Sequence, residues 1–186
     1  KDQEQHLELT RDFAQRFNSL YGVDYFKLPV AYNFGQDLVK IPGLDGSTKM
    51  SKSDNESSCI YLSDSPELIR KKVMKAVSDS GPTVPGQPKS QAVENLFSLM
   101  NAVSSPETIQ FFEEQYQNCQ IRYGDMKKQL ATDIIAFTEP IYNRIMELRE
   151  DDQYLRKVAL QGAEKARASA SATIKEVREI MGFRTL

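Results

Sequence analysis

The sequence predicts a mixed α/β plus all-α chain: a short α/β part over residues 1–62, then a helix bundle over residues 63–186. Three observations predict it. The first twenty residues carry apolar side chains at helical spacing. Short β-favouring runs follow, broken by a long polar loop. After Ser63 every substantial segment has helical period, and two of these open on the same Ser-Pro-Glu start signal.

Asp2 to Leu20 reads as a helix, with His6, Leu9, Phe13, Phe17 and Leu20 on one face and Gly22 ending it. That placement predicts a packed, hydrogen-bonded His6. Residues 25–34 (YFKLPVAYNF) are rich in aromatic and β-favouring residues, and Pro29 limits any strand to an edge. Asp37 to Ile41 is a second strand candidate. From Pro42 to Ser58 the chain is dominated by Gly, Ser, Asp, Asn and Lys. It reads as a long polar loop without a core-forming face, a length usually reserved for function or disorder. Residues 1–62 are too few to bury a sheet of their own. They read as the end of a larger α/β domain.

Ser65-Pro66-Glu67 supplies an N-cap, a proline at the first helical position and an acid in the first turn. Ile69, Val73 and Val77 follow as the buried stripe. Gly81, Pro82, Pro85, Gly86 and Pro88 make residues 79–90 a connector. The next helix carries Val93, Leu96, Phe97, Met100 and Val103. Ser105-Pro106-Glu107 repeats the start signal ahead of Ile109, Phe112 and Tyr116. Met126, Leu130, Ile134, Phe137, Ile141, Ile145 and Leu148 predict the longest apolar stripe, with a kink at Pro140. A last helix is predicted from Asp152 to Met181, interrupted at Gly162 and capped by Gly182.

Composition narrows the function classes. The chain has 186 residues, 24 Lys+Arg, 26 Asp+Glu and a net charge of −2. No apolar run approaches the roughly 18–20 residues of a membrane helix. Two cysteines, Cys59 and Cys119, make neither a disulfide framework nor a zinc cluster, and both read as reduced, unreactive thiols. One histidine excludes any site that needs two. The chain starts at Lys1 without Met and runs straight into a helix, so the start of the natural protein is expected to be missing. Charge is uneven: residues 156–186 carry seven basic against three acidic side chains. That basic segment is either a solvated helix face or a nucleic-acid contact.

The most informative stretch is Lys49-Met50-Ser51-Lys52-Ser53-Asp54. Two lysines three apart stand among hydroxyls in a loop that Gly43 and Gly46 leave free to open and close. Lysine is a compact point charge suited to phosphate oxygens. Such a loop can hold a triphosphate and follow charge as pyrophosphate departs. Spacing alone also fits a surface loop without function.

As a string, Lys49–Ser53 spells KMSKS and resembles the signature loop of class I aminoacyl-tRNA synthetases. Asp2-Gln3 with the helix through Asn18 resembles the GxDQ segment of the tryptophanyl-tRNA synthetases. Ala76–Gly81, Arg122-Tyr123-Gly124, Gly162–Ala166 and Met181-Gly182-Phe183 are similar to further landmarks of that family, in the same order. The resemblance implies that residues 1–62 are the C-terminal part of a Rossmann-type catalytic domain with its KMSKS loop. Residues 63–186 would be the helical domain that binds the tRNA anticodon.

It also implies the chemistry. The enzyme would be a tryptophan–tRNA ligase, with ATP, Mg2+ carried by ATP, tryptophan and tRNA(Trp) as its substrates and partners. No DNA, no membrane and no dedicated metal site are expected; a cytoplasmic homodimer is. Lys49 and Lys52 would be catalytic, holding the β- and γ-phosphates and stabilising the leaving pyrophosphate. Ser51 and Ser53 would donate hydrogen bonds, and Met50 would meet the adenine through its backbone. Asp2 and Gln3 would contact ribose or the triphosphate, and Val39 would pack on the adenine. The basic face of residues 156–184 would meet tRNA phosphates. The glycine of GxDQ and the HIGH motif are absent, so the 186 residues alone are expected to be inactive. A tyrosyl-tRNA synthetase fragment and a non-catalytic helical tRNA-binding module are the alternatives.

Overall fold

The computed structural model describes residues 3–32, 40–51 and 56–183. The regular elements among its described residues are all helices, with no strand among them. The helices are α1 (Glu4–Tyr21), α2 (Pro66–Met74), α3 (Gln91–Val103), α4 (Pro106–Gln117), α5 (Tyr123–Arg149) and α6 (Asp152–Ile180), with a single 3₁₀ turn at Glu56–Ser58. Among the described residues no helix is long and apolar enough to cross a membrane. The chain divides into two compact units, Lys1–Leu38 with Gln153–Leu186, and Val39–Asp152.

In the first unit α1 ends at Gly22, whose φ of +64° is the left-handed conformation that a C-cap glycine adopts at no steric cost. Asn18 then fastens the chain that follows. Its Oδ1 accepts the amides of Tyr25 and Phe26 at 3.2 and 3.0 Å, and its Nδ2 donates to the Phe26 carbonyl at 2.8 Å. This corrects the strand expected at 25–34 over its described residues. A strand needs a ladder partner, and here a side chain has taken the backbone groups instead, while Pro29 has no N–H to offer. Phe17 packs against Tyr21, Tyr25 and Phe26, with the Phe26 ring edge-on at 4.9 Å.

The apolar face of α1 is present but largely uncovered. Leu9, Phe13 and Leu20 are 55%, 66% and 71% exposed, and only Ala14 is buried. His6 is exposed as well, contrary to the packed histidine its face predicted. An open groove of about 600 Å³ runs between Phe13, Phe17 and Leu20 of α1 and Val177 and Met181 at the end of α6. Helix α6 buries no residue and runs unbroken through Gly162, so the predicted interruption is absent. Gly182 caps it at φ +81°, with the Phe183 amide donating to the Arg178 carbonyl at 2.9 Å.

The second unit holds the core. Helix α2 packs along α5, and α3 packs on α5 and α4. Ile69 and Val73 of α2, Val93, Leu96, Phe97 and Met100 of α3, Phe112 and Tyr116 of α4 and Met126, Leu130 and Ile134 of α5 make one buried cluster. Each fully buried aliphatic side chain contributes about 1.5–3 kcal/mol over its exposed state. The serine caps at Ser65 and Ser105 form as the sequence predicts, accepting the amides of Leu68 and Thr108, and Ser90 adds a third that accepts the amide of Val93. The stripe of α5 is buried only in its first half. Phe137 and Ile141 are 58% and 38% exposed, and the helix continues past Pro140. Val77, expected in the stripe of α2, lies beyond its end and is 47% exposed. Lys72 of α2 forms a buried 2.7 Å ion pair with Asp64.

Candidate nucleotide-binding loop

The loop before α2 is built on a narrow stem. The Met50 amide donates to the Ile41 carbonyl at 2.7 Å, and the Gly43 amide donates to the Ser47 carbonyl at 3.1 Å. Of the second strand candidate, residues 37–39 lie outside the described residues; Lys40 and Ile41 are irregular. The turn at the tip is tight. A Cβ on Gly43 would run into the side chains of Ser47 and Asp45, and Gly46 sits at φ +87°. The glycines therefore shape a closed turn here.

Leu44 departs from the expectation of a loop without a core-forming face. It is buried and joins the core cluster beneath the turn. Its amide donates to the Ser58 carbonyl at 3.0 Å, and its carbonyl accepts the Val77 amide at 2.8 Å. One apolar residue in a polar run thus ties the loop to the chain on both sides of α2. Asp45 organises the turn by accepting from the Ser47 hydroxyl at 2.6 Å and the Ser47 amide at 3.0 Å. Those hydrogen bonds hold its carboxyl below the usual aspartate range. From the helical side, Asn95 Nδ2 of α3 donates to the Ser47 carbonyl at 2.8 Å.

Among the candidate site residues, Lys49, Met50 and Ser51 follow one another at the end of the stem, where the Met50 amide makes its rung to Ile41. Lys49 is exposed. Met50 is half-buried against the core, with its Sδ accepting the Ile60 amide at 3.4 Å. The Ser51 carbonyl accepts from the Cys59 thiol at 2.7 Å, and Cys59 is buried beneath it. Gln3 is exposed in the other unit, at the N-cap of α1, with its carbonyl accepting the Leu7 amide at 3.1 Å. Asp2, Val39, Lys52 and Ser53 lie outside the described residues. Beyond the 3₁₀ turn, Glu56, Ser57, Leu68, Lys71, Lys72 and Lys75 line a cleft of about 440 Å³. Sequence reasoning missed Leu44, Asp45, Cys59 and Asn95. Leu44 stands out, with Met50, as an aliphatic side chain among the polar ones of its loop; nothing in spacing marks the other three.

An exposed lysine on a glycine-closed stem, anchored from three sides, can present positive charge at a reproducible place. The family behind this geometry follows from comparison. A family model described as class I tRNA synthetases (W and Y) matches residues 1–139. The chain belongs to that family.

Individual members are similar over nearly all of the chain. A tryptophan–tRNA ligase of Porphyromonas gingivalis is 54% identical over 184 residues, covering 99% of this chain and 56% of that protein. One from Helicobacter pylori is 38% identical over 187 residues, covering 98% of this chain and 55% of its own length. The crystal structure of the Campylobacter jejuni tryptophanyl-tRNA synthetase, complexed with ADP and tryptophan, superposes with a TM-score of 0.79 at 28% identity. It covers 98% of this chain and 55% of that one. This class I tRNA synthetase chain therefore spans about half the length of the curated relatives it matches.

Proposed function

We propose that this chain is the C-terminal part of a tryptophan–tRNA ligase, and that its loop at 49–53 serves ATP during tryptophan activation. The observation that carries the reading is the KMSKS string, whose described residues 49–51 sit on a stem anchored to the helical core at Leu44, Ser47 and Ser51. The choice of tryptophan rests on the 54% identical relative.

The reaction runs in two displacements. A carboxylate oxygen of tryptophan attacks the α-phosphorus of ATP, the bond from that phosphorus to the bridging oxygen breaks, and pyrophosphate leaves with the electron pair. A terminal ribose hydroxyl of tRNA(Trp) then attacks the acyl carbon of tryptophanyl-adenylate, and AMP leaves. Mg2+ enters with ATP and offsets its phosphate charge. Lys49 and Lys52 hold the β- and γ-phosphates and stabilise the charge that gathers on pyrophosphate. Ser51 and Ser53 add donors, and the backbone of Met50 meets the adenine. Asp2 and Gln3 contact the ribose or triphosphate, and Val39 packs on the adenine. Residues 1–62 close the Rossmann-type catalytic domain, and residues 63–186 carry the helices that meet the anticodon. The complete enzyme works as a cytoplasmic homodimer. The 186 residues alone do not make adenylate, since a single histidine cannot supply HIGH.

Amino-acid-dependent ATP–pyrophosphate exchange by the complete protein tests the reading. Exchange with tryptophan alone is expected. Exchange with tyrosine alone keeps the mechanism and overturns the substrate. Silence with both, alongside salt-sensitive tRNA binding, moves the protein to a non-catalytic RNA-binding module.

A further inference from the structure

We propose that Asn95 is a positioning residue for the signature loop: from helix α3 it fixes the Ser47 carbonyl, two residues before Lys49, and so fixes where that lysine stands. The inference rests on the activity proposed above and names a further residue for it.

Asn95 lies 4% exposed on the buried face of α3, beside Leu96 and Leu99. An amide in such a place costs about 1–3 kcal/mol if left without partners. It is satisfied at both ends. Nδ2 donates to the Ser47 carbonyl at 2.8 Å, and Oδ1 accepts from Gln91 Nε2 at 2.9 Å. The Ser47 carbonyl also accepts the Gly43 amide at 3.1 Å. One carbonyl thus receives the bond that closes the turn and the bond that ties the turn to the bundle. The backbone of the loop comes close to the same helix again one turn earlier, where a Cβ on Gly46 would lie 3.7 Å from the Ala92 methyl. Packing alone would be served by a leucine at position 95; the amide adds a fixed point for a backbone 48 residues away.

The chemistry makes that fixed point matter in one step. Adenylate formation places growing charge on pyrophosphate, and a displacement of about 1 Å in a positioned group costs up to roughly a hundred-fold in rate. Transfer from preformed adenylate to tRNA moves no pyrophosphate and does not call on the loop lysines.

The test is Asn95→Leu in the complete protein, with Asn95→Asp as the second variant, since it keeps the shape and loses the donor. Single-turnover adenylate formation should slow about ten-fold or more. The KM for tryptophan and the rate of transfer from preformed adenylate should stay within about two-fold, and the far-ultraviolet circular dichroism should be unchanged. Equal losses in both steps would make Asn95 merely structural and overturn the inference, as would unchanged adenylate formation. Failure of both variants to fold would also overturn it. Wild-type protein that shows no tryptophan-dependent exchange would instead sink the underlying reading.

Discussion

The Tyr123 hydroxyl at the head of α5 donates a 2.6 Å hydrogen bond to Asp79 Oδ1, 44 residues earlier in the chain. The same carboxylate accepts the Ser90 hydroxyl at 2.6 Å and the Gly81 amide at 2.8 Å. One turn further along α5, Lys127 Nζ donates to the Ala76 carbonyl at 2.7 Å and the Ser78 hydroxyl at 3.0 Å. The two α5 side chains therefore grip residues 76–79 from one helix face. Val77 inside that segment holds the Leu44 carbonyl. The grip is thus continuous with the base of the signature loop.

Tyr123→Phe removes one donor from Asp79 and keeps the ring. A hydrogen bond to a charged acceptor is worth about 1.5–3 kcal/mol, and less where water can replace the donor. The expected loss is ~1–2 kcal/mol in urea unfolding. A midpoint equal to wild type would mean that the bond carries no net weight.

Acid should loosen the same segment. Burial alone would raise the Asp79 carboxyl, but the donors from Ser90, Tyr123 and Gly81 outweigh it and set the net shift downward. A carboxyl lowered on folding stabilises fully above its unfolded value of about 3.9 and ceases to do so as pH falls through the lower folded value. Unfolding midpoints measured from neutral pH down to strong acid should therefore fall below roughly pH 4. Asp79→Asn should flatten that fall; an unchanged slope would remove Asp79 from the account.

What the sequence made legible was local. Ser65 and Ser105 cap their helices through bonds that reach three residues, and Ser-Pro-Glu announces them. The loop motif was readable because it is a string. The contacts that anchor it are not local: Asn95 meets Ser47 across 48 residues, and Tyr123 meets Asp79 across 44. Residues 25–34 misled because aromatic content favours a strand in general, whereas Asn18 takes the amides of Tyr25 and Phe26 in particular. His6 misled because a face can be apolar in pattern and still stand exposed among the described residues.

The Asp64–Lys72 pair gives a different kind of prediction. Both side chains are more than nine-tenths buried, and the ammonium also lies 4.9 Å from the Tyr61 ring centre. Removing one partner leaves a buried charge alone, so Asp64→Asn or Lys72→Met should each cost about 3–5 kcal/mol. The double replacement should cost less than the sum of the two. Additive losses in a double-mutant cycle would show that the charges do not act as a pair.

Lys49→Ala in the complete protein isolates the loop's charge from its scaffold. Lys49 is exposed, and it joins the stem through its backbone, whose carbonyl accepts the Ser47 hydroxyl at 3.2 Å, so its side chain can be lost without opening the turn. Deleting one preorganised group that faces developing charge costs about 10²–10³ in rate. On the proposed reading the lysine stabilises charge that grows only as pyrophosphate leaves, so pyrophosphate exchange should fall by about that factor in kcat. Tryptophan binding and tRNA affinity should hold, since neither ligand brings the pyrophosphate on which that charge grows. A loss confined to the KM for ATP would mean that Lys49 binds the triphosphate equally before and during the reaction. Lys52→Ala would then be the variant in which the fall in kcat appears.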